Sequence, residues 1–192
     1  MTYLSRRAMF QLTAGAALLP ASGLVSSAFA LETMMADAYT VLAYDGRFTI
    51  WTRLIDAAGL QAAARAPTPY TVFPITDAGF QKFPQVVQDL LGYQQESGSH
   101  NAMAAFPDTT KISRLVRSHV VSGKHLPNEV AGKVITVTSV AGTPITVDGS
   151  KTPTSVTWKS VINGNTLTAD LDGDPIVALN AVIYPVNSVY TG

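Results

Sequence analysis

The 192-residue chain contains no cysteine, which excludes disulfides, thiolate zinc sites and a cysteine nucleophile. Charge is scarce: Asp, Glu, Lys and Arg make up 14% of the residues, against about 25% in an average globular chain. The 13 basic and 13 acidic residues cancel. With no net positive charge and no basic cluster, the chain lacks the electrostatic footprint of a nucleic-acid binder. Three histidines are present, and no two share the spacing of a helical zinc site. No G-x-S-x-G, phosphate-binding or dinucleotide-binding glycine pattern occurs, and nothing places Ser, His and Asp as a triad. The expectation is a protein that is not an enzyme, with no cofactor and no metal. Disorder is excluded as well, because 47% of the residues are hydrophobic.

Long apolar runs are also missing. The softest stretch, from Leu12 to Val25, is interrupted by Thr13, Gly15, Pro20, Ser22 and Gly23. It falls short of the ~20 apolar residues that a membrane span requires. What precedes and follows it reads as an export signal. Arg6 and Arg7 form a basic start, and Ala28-Phe29-Ala30 is an A-x-A cleavage pattern. The run Ser5-Arg6-Arg7-Ala8-Met9-Phe10 resembles the twin-arginine type of signal. Residues 1–30 are therefore expected to direct export, leaving a single domain over 31–192 in the periplasm or outside the cell. Losing residues 1–30 takes two arginines and no acid from the balance, so 11 basic residues face 13 acidic ones.

Hydrophobic periodicity then divides the chain. Met34, Ala38, Val41 and Leu42 recur at helical spacing until Asp45-Gly46 breaks the run. Phe48, Trp51, Leu54, Ile55 and Ala58 form a second stripe, stopped at Gly59. Thr71-Val72-Phe73 reads as a short strand. Thr76 or Asp77 is positioned to cap a helix whose apolar face is Phe80, Phe83, Val87, Leu90 and Leu91, with Pro84 starting a second helical piece. Residues 92–107 show no period and read as a long polar loop. Asp108-Thr109-Thr110 caps a helix with an inner face of Ile112, Leu115, Val116 and His119, expected to end at Gly123.

From Lys133 the period changes to two. Val134–Thr138 and Ile145–Val147 are expected to pair, as are the runs on either side of Asn163-Gly164. Val182–Val186 supplies a last strand. Helices followed by strands specify an α+β domain, with helices packed on a largely antiparallel sheet.

Three segments resemble the signatures of fasciclin (FAS1) domains. Tyr70-Thr71-Val72-Phe73-Pro74-Ile75-Thr76-Asp77-Ala78-Gly79-Phe80 is similar to the first, usually FTVFAPTDxAF. Leu115–Lys124 is similar to the second, in which a helix ends on a Tyr-His pair before a V-x-G turn. Asn180–Asn187 looks like the closing N-G-V-I-H-x-I-D strand. The resemblance spans roughly residues 33–190. It implies a fasciclin-like fold with a wedge-shaped β-sandwich, and Thr71, Val72, Phe73, Thr76, Asp77, Phe80, His119, Val120, Gly123 and Tyr184 as motif positions with structural roles. His119 is expected to brace the first motif against the last strand. The chain departs from the pattern at Ser118, where Tyr is usual, at Ala181 for Gly, and at Tyr184 for His. Residues 92–107 are also longer than the corresponding link in many members.

The resemblance implies a secreted, non-catalytic interaction module for cell adhesion or for binding a surface protein or polysaccharide. Tyr93, Met103 and Phe106 in the long loop, with Met34 and Met35, are the candidate interaction patch. Some fasciclin relatives bind carotenoids, so the resemblance also allows a carrier of a small apolar ligand, its cleft lined by Met34, Met35, Met103 and Phe106. The Asp170-Leu171-Asp172-Gly173-Asp174 run alternates carboxylates as calcium loops do, yet lacks the closing Glu of an EF-hand. A solvated turn is the expectation there.

Overall fold

Asp37 opens a helix near the start of the described part of the structure, a computed structural model that describes residues 35–91, 107–160 and 164–191. The expected export signal and residues 92–106 of the expected loop lie outside the described residues. The Asp37 carboxylate accepts the Thr40 amide at 2.9 Å and so caps α1 (Ala38–Tyr44). Its inward face is Ala38, Val41 and Leu42, as the spacing predicts. The next helix, α2 (Thr49–Ala57), buries Trp51, Leu54 and Ile55 and stops at Gly59, whose φ is +66°. A short third helix, α3 (Gln61–Arg65), follows.

The first strand, β1 (Tyr70–Val72), leads into α4 (Asp77–Gln81) and α5 (Pro84–Leu91). The chain then forms α6 (Thr109–Ser118), with Asp108 accepting the Lys111 amide at 3.0 Å as its cap. Here the structure differs from the sequence expectation. The helix ends at Ser118 rather than at Gly123, because residues Val120–Ser122 leave it to form β2 beside β1. Gly123, with φ +87°, turns the chain out of that strand. The one-turn helix α7 (Pro127–Val130) precedes β3 (Val134–Thr138), β4 (Pro144–Asp148), β5 (Ser155–Lys159) and β6 (Thr166–Asp170). Two short strands close the domain, β7 (Ile176–Val177) and β8 (Ala181–Ile183).

The strands form two four-stranded sheets, ordered β2-β1-β8-β7 and β3-β4-β5-β6. The second is a wholly antiparallel meander, with Val134 opposite Asp148 and Val156 opposite Ala169. In the first, β1 and β8 run parallel, pairing Thr71 with Val182. The fold is α+β with largely antiparallel sheets, and its first and last motifs are neighbours in one sheet.

An aromatic cluster joins the layers. Trp158 of β5 lies 4.9 Å from the His119 ring and stacks on Tyr190 at 6.1 Å between centroids. Phe73 packs edge-on to Trp158 and stacks on Tyr184. Fully burying each large ring stabilises the fold by about 1.5–3 kcal/mol. This cluster is what makes the two sheets and the helical layer one core.

Candidate functional site: an apolar cleft beside the helices

The motif positions are mostly interior. Thr71, Val72, Phe73, Thr76, Phe80, His119 and Tyr184 are all buried, and Asp77, Val120 and Gly123 are half-buried. Their bonds tie segments together. Thr71 Oγ1 donates to the Gly123 carbonyl at 2.8 Å and accepts the His125 amide at 2.9 Å. The Phe73 amide donates to the His119 carbonyl at 2.9 Å, and the Tyr184 amide to that of Val72 at 2.8 Å. Tyr184 also donates its hydroxyl to the His125 carbonyl, and burial pushes that hydroxyl's pKa up to about 12.

Thr76 caps α4 by accepting the Gly79 amide at 3.1 Å. Asp77 acts elsewhere. Its carboxylate accepts the amides of Thr49 and Ile50, at 3.2 and 2.8 Å, and so caps α2, whose own N-cap residue Phe48 carries no acceptor.

His119 is fully buried on the inner side of α6. Its ring packs against Trp51, Trp158 and Tyr190. Nδ1 lies 2.9 Å from the Leu115 carbonyl. A carbonyl only accepts, so Nδ1 carries the proton and Nε2 is a bare acceptor. That Nε2 is buried with no hydrogen-bond partner, and so is the indole Nε1 of Trp51, whose ring meets the imidazole edge-on at 5.4 Å. Burial holds the His119 pKa down at about 4, against the opposing effect of the Leu115 bond, so the ring is neutral at ordinary pH. The link to the first motif is made by its backbone.

The aspartate run is engaged from both sides. Thr76 donates its hydroxyl to Asp172 Oδ2 at 2.6 Å, and Arg47 reaches the Asp172 carbonyl at 3.4 Å. Among the described residues no group of three or more His, Cys, Asp or Glu side chains could hold a metal ion. The described helices include none long and apolar enough to cross a membrane.

One depression stands out by its chemistry. A cleft of about 450 Å³ opens between α1, α2, α3, the β1–β2 edge and α6. Its floor is core: Leu42, Trp51, Ile55, Val72 and Val116, all nearly inaccessible. Ala63 and Ala64 of α3 form one wall, their small side chains leaving the cleft open. Val120 and Val140 line the opposite side, and Arg117 sits at the rim. The volume lies within the roughly 300–1,000 Å³ of small-ligand sites.

Asn180 places the α3 wall. Its amide donates to the carbonyls of Ala64 and Ala66, at 3.0 and 2.7 Å, while Oδ1 accepts the Ala38 amide at 2.8 Å. Neither Ala63 nor Arg117 was marked by the sequence, since alanines in a short helix and one exposed arginine carry no pattern. Of the expected site residues, Val72 and Val120 reach the cleft. Met35 does not: it is 78% exposed and precedes Ala36, whose carbonyl accepts the amide of Leu179, itself 63% exposed, at 2.8 Å. Met34, Tyr93, Met103 and Phe106 lie outside the described residues.

Fold and cleft together define an α+β domain built to hold two sheets and a helical layer around one aromatic core, with an apolar opening at its helical side. The family model of the fasciclin domain matches residues 46–191, and the chain belongs to that family. An uncharacterized protein of Synechocystis sp. is 26% identical over 145 residues, covering 76% of this chain and 90% of that one. Among solved structures, a FAS1 domain pair from the insect cell adhesion molecule fasciclin I matches with a TM-score of 0.42 and 11% identity. That match covers 86% of this chain, which spans under half (46%) of the longer neighbour.

Proposed function

We propose that this fasciclin-domain protein is an exported, non-catalytic binding module that receives a small apolar ligand in the cleft floored by Trp51 and Val116. Residues 1–30 would direct export by the twin-arginine route, with cleavage after Ala30, and the domain would work in the periplasm or outside the cell. The observation that carries the reading is the cleft itself. Its lining is mostly apolar from floor to rim, and a concave apolar surface of this kind marks binding sites. Its lining favours a hydrocarbon over a polysaccharide, whose hydroxyls would find few partners there.

Adhesion to a surface protein is the second reading, and a separate observation favours it. Met35 and Leu179 are both exposed and apolar, and the backbone bond from Leu179 to Ala36 brings their segments together where α1 begins. One comparison separates the two. Ala63 is itself exposed, so Ala63→Trp fills the cleft mouth without entering the core. If the cleft is the site, Ala63→Trp abolishes ligand-dependent thermal stabilisation, and the double change Met35→Ser, Leu179→Ser leaves it intact. A ligand at a hundredfold excess over its Kd should stabilise by about 2.7 kcal/mol. Loss of cell or partner binding in the double variant alone would instead establish the surface reading.

A further inference from the structure

The apolar cleft does not end at its own rim. Arg117 and Val140 also line an adjoining depression of about 540 Å³, completed by Thr109, Thr110, Ser113 and Arg114. The character changes at that boundary from hydrocarbon to hydroxyl and guanidinium. Arg114 and Arg117 are three residues apart on α6, so they project from the same helical face. Among the described residues no carboxylate lines either depression. Neither arginine makes an ion pair among the described residues. The acid nearest in sequence, Asp108, is already occupied, accepting the Lys111 amide at 3.0 Å and facing its ammonium at 3.4 Å.

Resting on the cleft reading above, we infer that the ligand is a single-chain amphiphile with an anionic head, a long-chain carboxylate, whose tail lies in the cleft over Trp51 and Val116 and whose head meets Arg117 and Arg114. Two features require the pairing of tail and charge. An apolar tail gains by covering the exposed apolar walls of the cleft, Ala63 and Val140 among them, which water otherwise wets. A carboxylate presented at the shelf finds two guanidinium groups, whose geometry suits two parallel hydrogen bonds. A neutral hydrocarbon would use the cleft and leave the shelf unused. A free small anion would use the shelf alone, where exposed charges are worth little in water.

The test titrates the full chain with dodecanoate and, separately, with dodecanol, each below its self-association limit, by calorimetry. Dodecanoate should bind about tenfold more tightly than dodecanol, the scale of one charge-assisted hydrogen-bonded contact. The double variant Arg114→Gln, Arg117→Gln should bring the two affinities together by weakening the acid only, and Ala63→Trp should remove both. Equal affinities in the unaltered protein would overturn the head-group assignment while leaving the cleft reading standing. No binding of either amphiphile would overturn both. Sedimentation with phosphatidylglycerol vesicles, unaffected by Ala63→Trp, would overturn the inference by pointing to a lipid surface. Both variants lie on exposed positions, and a preserved melting curve shows that each is folded.

Discussion

The side-chain amide of Asn180 donates to the carbonyl of Ala64 at 3.0 Å, across 116 residues of sequence. That bond, with its partners at Ala66 and Ala38, fastens α3 and the start of α1 to the turn before β8. The cleft wall is thus held from behind by a buried polar side chain.

Replacing Asn180 with Ala strips three hydrogen bonds at one buried point. The expected loss is about 2–4 kcal/mol, since each unpaired buried group carries a penalty of about 1–3 kcal/mol and the losses overlap. Urea unfolding measures it. Hydrogen exchange should also quicken at residues 61–66 before the rest of the domain, because α3 is held there by those bonds. Uniform exchange across the domain would count against the wall role.

Asp77 serves a helix other than its own. Asp77→Ala should lower stability by about 1–2 kcal/mol, the range for losing a helix cap, and the change should register in α2. Thr76→Ala removes the cap of α4 and the hydroxyl bond to Asp172 together, so its loss should be at least as large. A stability unchanged by Asp77→Ala would refute the cross-helix cap.

His119 makes stability depend on pH in a definite direction. Its folded pKa, about 4, lies below the ordinary histidine value of 6.5 because burial disfavours the charged ring. The unfolded chain therefore takes up the proton first as pH falls. The His119 contribution is fully present above about pH 6.5 and is lost between there and about pH 4. At pH 5 the loss relative to pH 7 should be about 2 kcal/mol. His119→Gln has no ring to titrate and should show a correspondingly shallower profile. Parallel stability curves for the two proteins would sink this account.

Two glycines should respond in opposite ways to alanine. A Cβ at Gly149 would run into the Val130 carbonyl oxygen, where Gly149 also pairs with Gly132 and Lys133 through the backbone. Gly149→Ala should destabilise by about 2 kcal/mol or more through forced backbone movement. Gly46 meets nothing within 4 Å and lacks a positive φ, so Gly46→Ala should leave stability within about 0.5 kcal/mol or raise it slightly. Thermal melts of the pair decide both.

Much of this fold is local, and the local part is legible. The stripes over Ala38–Tyr44, Thr49–Ala57 and Thr109–Ser118, and the alternation in Pro144–Asp148, reflect one buried face each, and that in Val134–Thr138 a half-buried one. What the pattern hides is non-local. The parallel pairing of β1 with β8 joins segments 111 residues apart, at Thr71 and Val182, and no periodicity encodes it. The strand β2 follows a helix without a break in hydrophobicity, so the helix reads as longer than it is. The cleft is the extreme case. It arises where residues of six separate elements fail to cover one another, and each of those residues alone resembles ordinary core or ordinary surface. Asp77 was legible as a cap, but only the packing of α2 against α4 shows which helix it serves.

The most direct test of the cleft as the binding site is a native mass spectrum of the protein recovered from cells that export it through its own residues 1–30. The account predicts a mass starting at Leu31 plus that of a small amphiphile, and the bare polypeptide mass for Ala63→Trp prepared alongside. An adduct retained at equal occupancy in Ala63→Trp, or none in either protein, would contradict it.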